Sequence, residues 1–258
     1  MDLAERISEL LIKVKSVNPL VHHITNYVTA NDCANITLAI GASPVMTDYI
    51  DEVSDVVSMA SALVLNLGTL SSERLKAMLI AGKRANELGI PVVLDPVGVG
   101  SSDFRTRAAL DIIKEIKLCA IRCNFSEIKT LCGIKVEAKG VDSTEIIGEY
   151  FENEKKLIMD FSKELHAVVS VTGVYDVVTD GYAICKIMNG HELMSKVTGT
   201  GCMCTSLVAS CVGTKEDPFT AVAAGTAFMG IAGENAWRLL TKKEEGTGFF
   251  KTRLLDSI

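Results

Sequence analysis

The chain has 258 residues, of which 48% are apolar and 22% are charged, so it holds enough apolar sequence for a large core. We expect one domain covering residues 1–258. The net charge of −6 argues against a nucleic-acid partner, because phosphate backbones attract basic surfaces, and a small-molecule partner fits better. The uncharged, glycine-rich run of residues 219–233 is too short to cross a bilayer, and we expect no membrane association.

The first 15 residues form a charged amphipathic stretch that predicts a helix and lacks the features of a signal peptide. Beyond it, short β-branched runs alternate with longer stretches of helical period. This alternation is typical of a parallel sheet covered by helices on both faces. The runs predict strands at residues 19–24, 61–66, 91–95, 118–123 and 167–172. The clearest helices between them are predicted at residues 71–88 and 143–165.

Residues 175–190 differ from this alternation. Two runs of alternating polarity flank Asp180-Gly181, which predicts an antiparallel hairpin at the edge of the sheet. Only helices are predicted after it, at residues 200–213, 218–241 and 249–257. The predicted fold class is therefore α/β, with a mostly parallel central sheet, helices on both faces and an antiparallel edge hairpin.

The eight cysteines are scattered through apolar segments. Their spacing fits neither a disulfide framework nor a zinc ribbon, and the four histidines do not complete a zinc site. We interpret the cysteines as the reduced thiols of a cytoplasmic protein.

Polar clusters follow four of the predicted strands, at residues 25–28 (TNYV), 95–103 (DPVGVGSSD), 122–128 (RCNFSEI) and 171–173 (VTG). Ligands of open α/β sheets bind beyond the carboxyl ends of the strands. The turn GTGC faces the same edge if the helix after it runs back along the sheet. The pattern predicts a ligand site at this edge.

The stretch KVTGTGCMCTS, residues 196–206, places two glycines and a cysteine where a helix begins. The backbone N–H groups of Gly199, Thr200 and Gly201 are predicted to form an anion hole, because the first turn of a helix offers unpaired donors and a positive dipole end. The same position is expected to lower the pKa of Cys202. A phosphate cradle, a reactive cysteine and a merely tight connection all remain open.

Several candidate residues also have structural interpretations. Asn124 and Glu127 have the spacing of a helix-capping box. Asp95 begins a stretch typical of a strand-ending turn, and Met46, in GASPVM, fits a small-residue turn with its side chain in the core. Arg122 ends an apolar strand, where a buried guanidinium needs an anionic partner such as phosphate.

Phosphoryl transfer would explain these residues together. This reaction requires that the substrates be positioned and the phosphate charge be neutralised, more than it requires covalent chemistry by the protein. Asp95 and Glu127, on neighbouring loops, offer oxygen ligands to Mg²⁺, directly or through water. A P-loop sequence is absent, so a kinase here belongs to another architecture.

The motifs HHITNYVTANDCAN, GASPVM, NLGTL, PVVLDPVGVG, R-x-N-x-SEI, VTG and KVTGTGC resemble, in order and spacing, those of hydroxyethylthiazole kinases. The resemblance extends from about residue 4 to GTGFFKTRLLD near the C-terminus. It implies a ribokinase-like fold in which sugar kinases generally carry Asp where this chain has Cys202. It also implies ATP-dependent, Mg²⁺-requiring phosphorylation of 4-methyl-5-(2-hydroxyethyl)thiazole in thiamine salvage, by a homotrimer with sites between subunits.

The resemblance further implies roles for individual residues. Met46, Gly199 and Asn26 are expected to contact the thiazole. Arg122 and Thr172 are expected to bind ATP.

By the same resemblance, Asp95 and Glu127 organise Mg²⁺, and Cys202 lies beside the reacting hydroxyl. The chain departs from the family at Cys123 and Phe125, where small residues are usual. These larger side chains are expected to tighten the nucleotide loop.

Two other function classes are compatible with parts of the sequence. A cysteine hydrolase or acyltransferase would use Cys202 as a nucleophile with a general base, usually histidine. His22 and His23, inside the first predicted strand, have no obvious orienting partner. A ligand-sensing module is expected to lose Asp95, Glu127 or the glycine turn, and all three are present.

Overall fold

The computed structural model describes residues 2–134, 149–240 and 245–258. Its strands, in chain order, are β1 (Leu20–Ile24), β2 (Ser43–Met46), β3 (Ala62–Asn66), β4 (Val92–Asp95), β5 (Ala120–Asn124), β6 (Val168–Thr172), β7 (Asp176–Thr179) and β8 (Ile184–Ile187). These form one eight-stranded sheet in the order β2-β1-β3-β4-β5-β6-β7-β8.

The strands from β1 to β6 pair in parallel, whereas β7 pairs antiparallel with both β6 and β8. The five strands expected from the β-branched runs are present close to their predicted bounds. The hairpin turns at Asp180-Gly181, where Gly181 has φ +89°. The predicted mostly parallel sheet with an antiparallel edge is confirmed.

The segment GASPVM differs from the turn considered above. Its last four residues form the edge strand β2, which pairs in parallel with β1 from Leu20 opposite Ser43 to His23 opposite Met46. An edge strand tolerates Pro44, because the missing N–H group need not bond to a neighbouring strand. Met46 is half-buried, so the expectation of a core side chain is wrong.

The helices are α1 (Leu3–Val17), α2 (Ala30–Ala39), α3 (Val53–Met59), α4 (Ser72–Glu87), α5 (Asp103–Glu115), α6 (Phe125–Leu131), α7 (Glu149–Leu165), α8 (Thr200–Val212), α9 (Pro218–Arg238) and α10 (Thr247–Asp256), with a 3₁₀ helix at Glu192–Lys196. The start of the helix predicted at residues 143–165 lies outside the described residues. The last residue of the helix predicted at residues 218–241 also lies outside them. None of the helices in the described ranges combines the length and the apolar run needed to cross a bilayer.

The core is divided by the sheet into two layers. Along β3, Ala62 and Val64 face the layer that contains α8 and α9, while Leu63 and Leu65 face the layer that contains α4 and α5. This alternation follows from the two-residue repeat of a strand.

Helix α8 lies at the centre of its layer and is buried on every side from its third residue onward. It packs closely on α9, since a Cβ on Gly225 would lie 2.5 Å from the backbone of Val208. The packing directs the first turn of α8 toward the carboxyl ends of β1, β3, β4 and β5.

Candidate active site

Asp95 ends β4 at the centre of the site and is fully buried. Its Oδ2 accepts hydrogen bonds from Asn66 Nδ2 and Thr205 Oγ1, both at 2.8 Å. Its Oδ1 has no hydrogen-bond partner among the described residues and lies 3.8 Å from Nη1 of Arg122. Burial raises the pKa of Asp95, and the positive charge of Arg122 opposes that rise. Oδ2 of the carboxylate thus accepts two hydrogen bonds, and Oδ1 remains able to bind a ligand.

Arg122 lies in the middle of β5, and its side chain reaches Thr172 at the end of the neighbouring strand β6. Arg122 Nη2 donates a hydrogen bond to Thr172 Oγ1. Its Nε is buried and finds no hydrogen-bond acceptor in the part of the chain that the structure describes. Burial favours a lower pKa for Arg122, but nearby carboxylates, Asp95 foremost, raise it overall. The side chain is therefore permanently charged and has a donor that no described residue uses, which suits an anionic ligand.

The two glycines of the turn allow close approach at the start of α8. Gly199 has φ +91°, and a Cβ there would lie 2.7 Å from Thr29 Cγ2. A Cβ on Gly201 would lie 2.5 Å from Arg122 Nη1. The guanidinium therefore lies against the first helical turn, whose N–H groups have no partner within the helix. Two positive features, Arg122 and the helix dipole, meet at one place.

Cys202 is 8% exposed and lies beside two asparagine amides. Its Sγ is 3.3 Å from Asn66 Nδ2 and 3.5 Å from Asn26 Nδ2. Burial raises the pKa of the Cys202 thiol, and the carboxylate of Asp95 raises it further. The expected lowering by the helix start is wrong, because loss of solvent and a nearby negative charge outweigh the favourable contacts of the thiolate.

Glu127 forms the capping box that its spacing predicts. Its Oε2 accepts from Asn124 N at 2.8 Å, while Asn124 Oδ1 accepts from Glu127 N at 2.9 Å. Its Oε1 accepts from Gly98 N at 3.0 Å and so ties the loop after β4 to the start of α6. Glu127 therefore has a structural role, and each carboxylate oxygen keeps a second lone pair.

The network contains two residues without a predicted role, Asn66 and Thr205. In the sequence, Asn66 is the first residue of the motif NLGTL at the end of a predicted strand, and this position was the one signal for it. Thr205 lies in an apolar helix and carried no signal of a role. By contrast, Met46 ends the edge strand β2 and takes no part in this hydrogen-bond network. Within the described residues, no cluster of three or more His, Cys, Asp or Glu side chains is arranged to hold a metal ion.

The histidines of β1 have partners other than Cys202. His23 Nε2 is paired with Ser206 Oγ at 3.2 Å, and His22 Nε2 with the Thr47 carbonyl oxygen at 2.9 Å. Burial lowers the pKa of His23 to about 4. These contacts disfavour the cysteine hydrolase hypothesis, because that mechanism needs a histidine paired with the nucleophile.

The model of the hydroxyethylthiazole kinase family matches residues 11–258. The chain belongs to this family. It is 49% identical to the hydroxyethylthiazole kinase of Clostridium tetani over 260 residues, covering 100% of this chain and 94% of that protein.

Solved structures agree with the family assignment. The hydroxyethylthiazole kinase of Pyrococcus horikoshii superimposes with a TM-score of 0.86 at 39% identity, covering 98% of this chain and 92% of that one. A pyridoxal kinase from Staphylococcus aureus, solved with ADP, matches with a TM-score of 0.62 at 17% identity, covering 84% and 87%. The second likeness concerns the fold alone, which is the ribokinase-like fold expected for hydroxyethylthiazole kinases.

Proposed function

We propose that this chain, as one domain spanning residues 1–258, uses ATP to phosphorylate the hydroxyl of 4-methyl-5-(2-hydroxyethyl)thiazole in thiamine biosynthesis or salvage. The observation that carries the proposal is the meeting of Arg122 with the first turn of α8, at the carboxyl edge of the sheet. A member of the hydroxyethylthiazole kinase family with a cationic cradle there has what phosphoryl transfer needs.

The backbone N–H groups of Gly199, Thr200 and Gly201 form the anion hole. They are fixed before the reaction, so they stabilise the charge that develops on the transferred group without reorganising. Arg122 and Thr172 bind the phosphates of ATP. The buried Nε of Arg122, which has no acceptor within the described ranges, supports this role, because phosphate supplies an acceptor.

The site fits Mg²⁺ at Asp95, whose buried Oδ1 accepts no hydrogen bond from residues 2–134, 149–240 or 245–258. Mg²⁺ is usually held by one or two carboxylates together with substrate phosphates, so a cage made only of protein ligands is not needed. Glu127 contributes through its remaining lone pairs, directly or through water. When bound, Mg²⁺ would neutralise charge on the phosphates of ATP.

The acceptor alcohol lies on the Cys202 side of the site. Asn26, Gly199 and Met46 contact the thiazole ring, and Cys202 lies beside the reacting hydroxyl. The raised pKa of Cys202 makes its thiolate scarce at neutral pH, so Cys202 is an imperfect base. Charge stabilisation by Arg122 and the helix start then supplies most of the catalysis.

We also propose a homotrimer whose active sites lie between subunits. Apolar side chains are exposed on the neighbouring loops after β1 and β2: Tyr27 is 76% exposed, Val28 56% and Tyr49 65%. They lie at the same end of the sheet as Met46, and a partner subunit covering them would bring its surface to the thiazole. A cytoplasmic location is supported by the eight cysteines, all of which are free.

The test is a reaction of the purified protein with ATP, Mg²⁺ and the thiazole alcohol, with the phosphate ester identified by mass spectrometry. We expect ester and ADP in equal amounts, and none of either with excess EDTA. A panel of other small alcohols serves as the comparison. Absence of the thiazole ester, or formation of ester at an unchanged rate in EDTA, contradicts the proposed acceptor or the proposed metal respectively. Light scattering of the same sample measures the oligomeric state.

A further inference from the structure

Asn66, at the end of β3, is a buried amide at the centre of the site and is 1% exposed. Its Oδ1 accepts from Gly68 N at 2.9 Å and from Asn26 Nδ2 at 3.0 Å. Its Nδ2 donates to Asp95 Oδ2 at 2.8 Å and to Cys202 Sγ at 3.3 Å. A carboxamide has two donors and two acceptor lone pairs, so this side chain is saturated.

The orientation of this amide is fixed by the backbone. The N–H group of Gly68 can only donate, so it requires the oxygen of Asn66 on its side. The NH₂ group must then face Asp95 and Cys202. A flipped amide would place a donor against Gly68 N and an acceptor against the Asp95 carboxylate, losing both bonds.

The packing around the amide is equally specific. A Cβ on Gly68 would lie 2.8 Å from Cβ and Nδ2 of Asn26. The glycine of NLGTL therefore leaves room for Asn26 to reach both Asn66 and Cys202. Asn26 supplies the second amide donor to the same sulfur, at 3.5 Å.

These contacts orient the carboxylate of Asp95 and the sulfur of Cys202. Asn66 and Thr205 both bond to Oδ2 of Asp95, which leaves Oδ1 as the free oxygen beside Arg122. The same Asn66 nitrogen donates to Cys202 Sγ, so the sulfur is held as an acceptor. One amide thus joins the residue proposed for the metal to the residue proposed beside the alcohol.

We propose that Asn66 is a positioning residue for phosphoryl transfer, which holds the Cys202 sulfur as a hydrogen-bond acceptor and locks it to the Asp95 carboxylate. Donation to sulfur favours the thiolate over the thiol, because only the thiolate is a strong acceptor. Losing the donor is therefore expected to slow every reaction in which this sulfur accepts a proton or attacks an electrophile. The effect expected on turnover rests on the proposed function, whereas the effect on the chemistry of the sulfur does not.

The test variant is Asn66→Ser, which removes both N–H donors without adding a charge beside Cys202. Two measurements are made on the full chain: alkylation of Cys202 by iodoacetamide at pH 8, followed by peptide mass spectrometry, and kcat and KM for ATP. We expect the alkylation rate to fall about tenfold, as for loss of one hydrogen bond to a charged group. We expect kcat to fall at least as far, with KM for ATP changed less than about twofold.

The matched control is Thr205→Val, which removes the other donor to Asp95 Oδ2 and leaves the contacts of Cys202 in place. Its alkylation rate should stay within about twofold of the unmodified chain. If Asn66→Ser fails to fold because it leaves a cavity, Asn66→Thr removes the same N–H donors, adds no charge and fills more of the space. Folding is checked by circular dichroism and thermal unfolding.

The inference is overturned if Cys202 of the folded Asn66 variant is alkylated as fast as Cys202 of the chain without substitutions. It is also overturned if Thr205→Val slows alkylation to the same extent as the Asn66 variant. It is also overturned if kcat is retained, or if the loss appears in KM for ATP alone. If the unmodified chain does not phosphorylate the thiazole alcohol, the proposed function fails. The alkylation comparison still decides whether Asn66 controls Cys202.

Discussion

Replacing Gly201 with alanine is expected to weaken the binding of phosphate at the site and to leave the stability of the fold nearly unchanged. Gly201 lies in the first turn of α8, and its added Cβ would lie 2.5 Å from Nη1 and 3.0 Å from Nη2 of Arg122. These atoms are the far end of a flexible side chain, so we expect the guanidinium to move and the helix to stay. Alanine is favoured over glycine inside a helix by about 1 kcal/mol, which offsets the disturbed contact of Arg122 with Asp95.

The size of the effect follows from the bonds that the displaced guanidinium loses. A hydrogen bond to a charged group contributes about 1.5–3 kcal/mol. Since each 1.36 kcal/mol is a factor of ten, kcat/KM for ATP should fall about 10- to 150-fold in Gly201→Ala. The midpoint of thermal unfolding should change by only a few degrees, because the two stability effects oppose each other.

The assay is steady-state ADP release at saturating thiazole alcohol with varied ATP. Gly248→Ala is the control, because Gly248 also lies in the first turn of a helix, α10, but no described residue lies within 4 Å of its added Cβ. The control should keep full activity. If Gly201→Ala keeps kcat/KM for ATP within about threefold, or if Gly248→Ala loses as much activity, Arg122 is not held against α8 to bind phosphate.

Three further predictions concern single side chains. Cys202→Asp should remain active, since aspartate is a more readily ionised acceptor, and Cys202→Ser should be at least about tenfold slower; a covalent adduct between Cys202 and substrate, detected by mass spectrometry, would instead support a nucleophile. Glu127→Gln should lower turnover at saturating Mg²⁺. It should also lower the free energy of unfolding, measured in urea, by about 1–3 kcal/mol, because glutamine cannot accept from both Gly98 N and Asn124 N. Unchanged turnover would leave Glu127 with its structural role only. His23 has a folded pKa of about 4, below its unfolded value of 6.5, so the unfolded chain binds more protons between these values and stability is lost as pH falls through this range. His23→Gln should flatten that dependence, which amounts to about 3 kcal/mol at most, and an equally steep curve in the variant would contradict this assignment.

The sequence determined the elements whose signals are local. The β-branched runs predicted β1, β3, β4, β5 and β6 close to their observed bounds, and Asp180-Gly181 predicted the hairpin. These predictions succeeded because burial on both faces requires continuous apolar runs and a tight hairpin requires a residue that tolerates positive φ. Convergence of Asp95, Arg122 and Thr172 followed from the sheet being parallel.

The short edge strand β2 was not predicted as a strand. It has four residues, includes Pro44 and is only half-buried along its length, so neither its length nor its polarity pattern distinguishes it from a turn. Pairing with β1 along its whole length decided its conformation. A contact between distant segments thus overrode a weak local preference.

Within the site, the sequence identified the residue types but not their partners. Glu127 was predicted both as a cap and as a metal ligand, and only the folded chain showed both of its oxygens occupied by backbone N–H groups. The glycine at 201 signalled a close approach, but the approaching group, Arg122, is far away in sequence. Spacing along the chain predicts a turn or a cap, because the atoms involved are sequence neighbours.

The environment of Cys202 was decided by tertiary structure alone. A helix start predicts a lowered thiol pKa, yet burial and Asp95 raise it. The amide that holds the sulfur belongs to Asn66, which is 136 positions away in the chain. The pKa of a group depends on the solvent it loses and on the charges around it, and both are set only when the sheet and α8 are packed together.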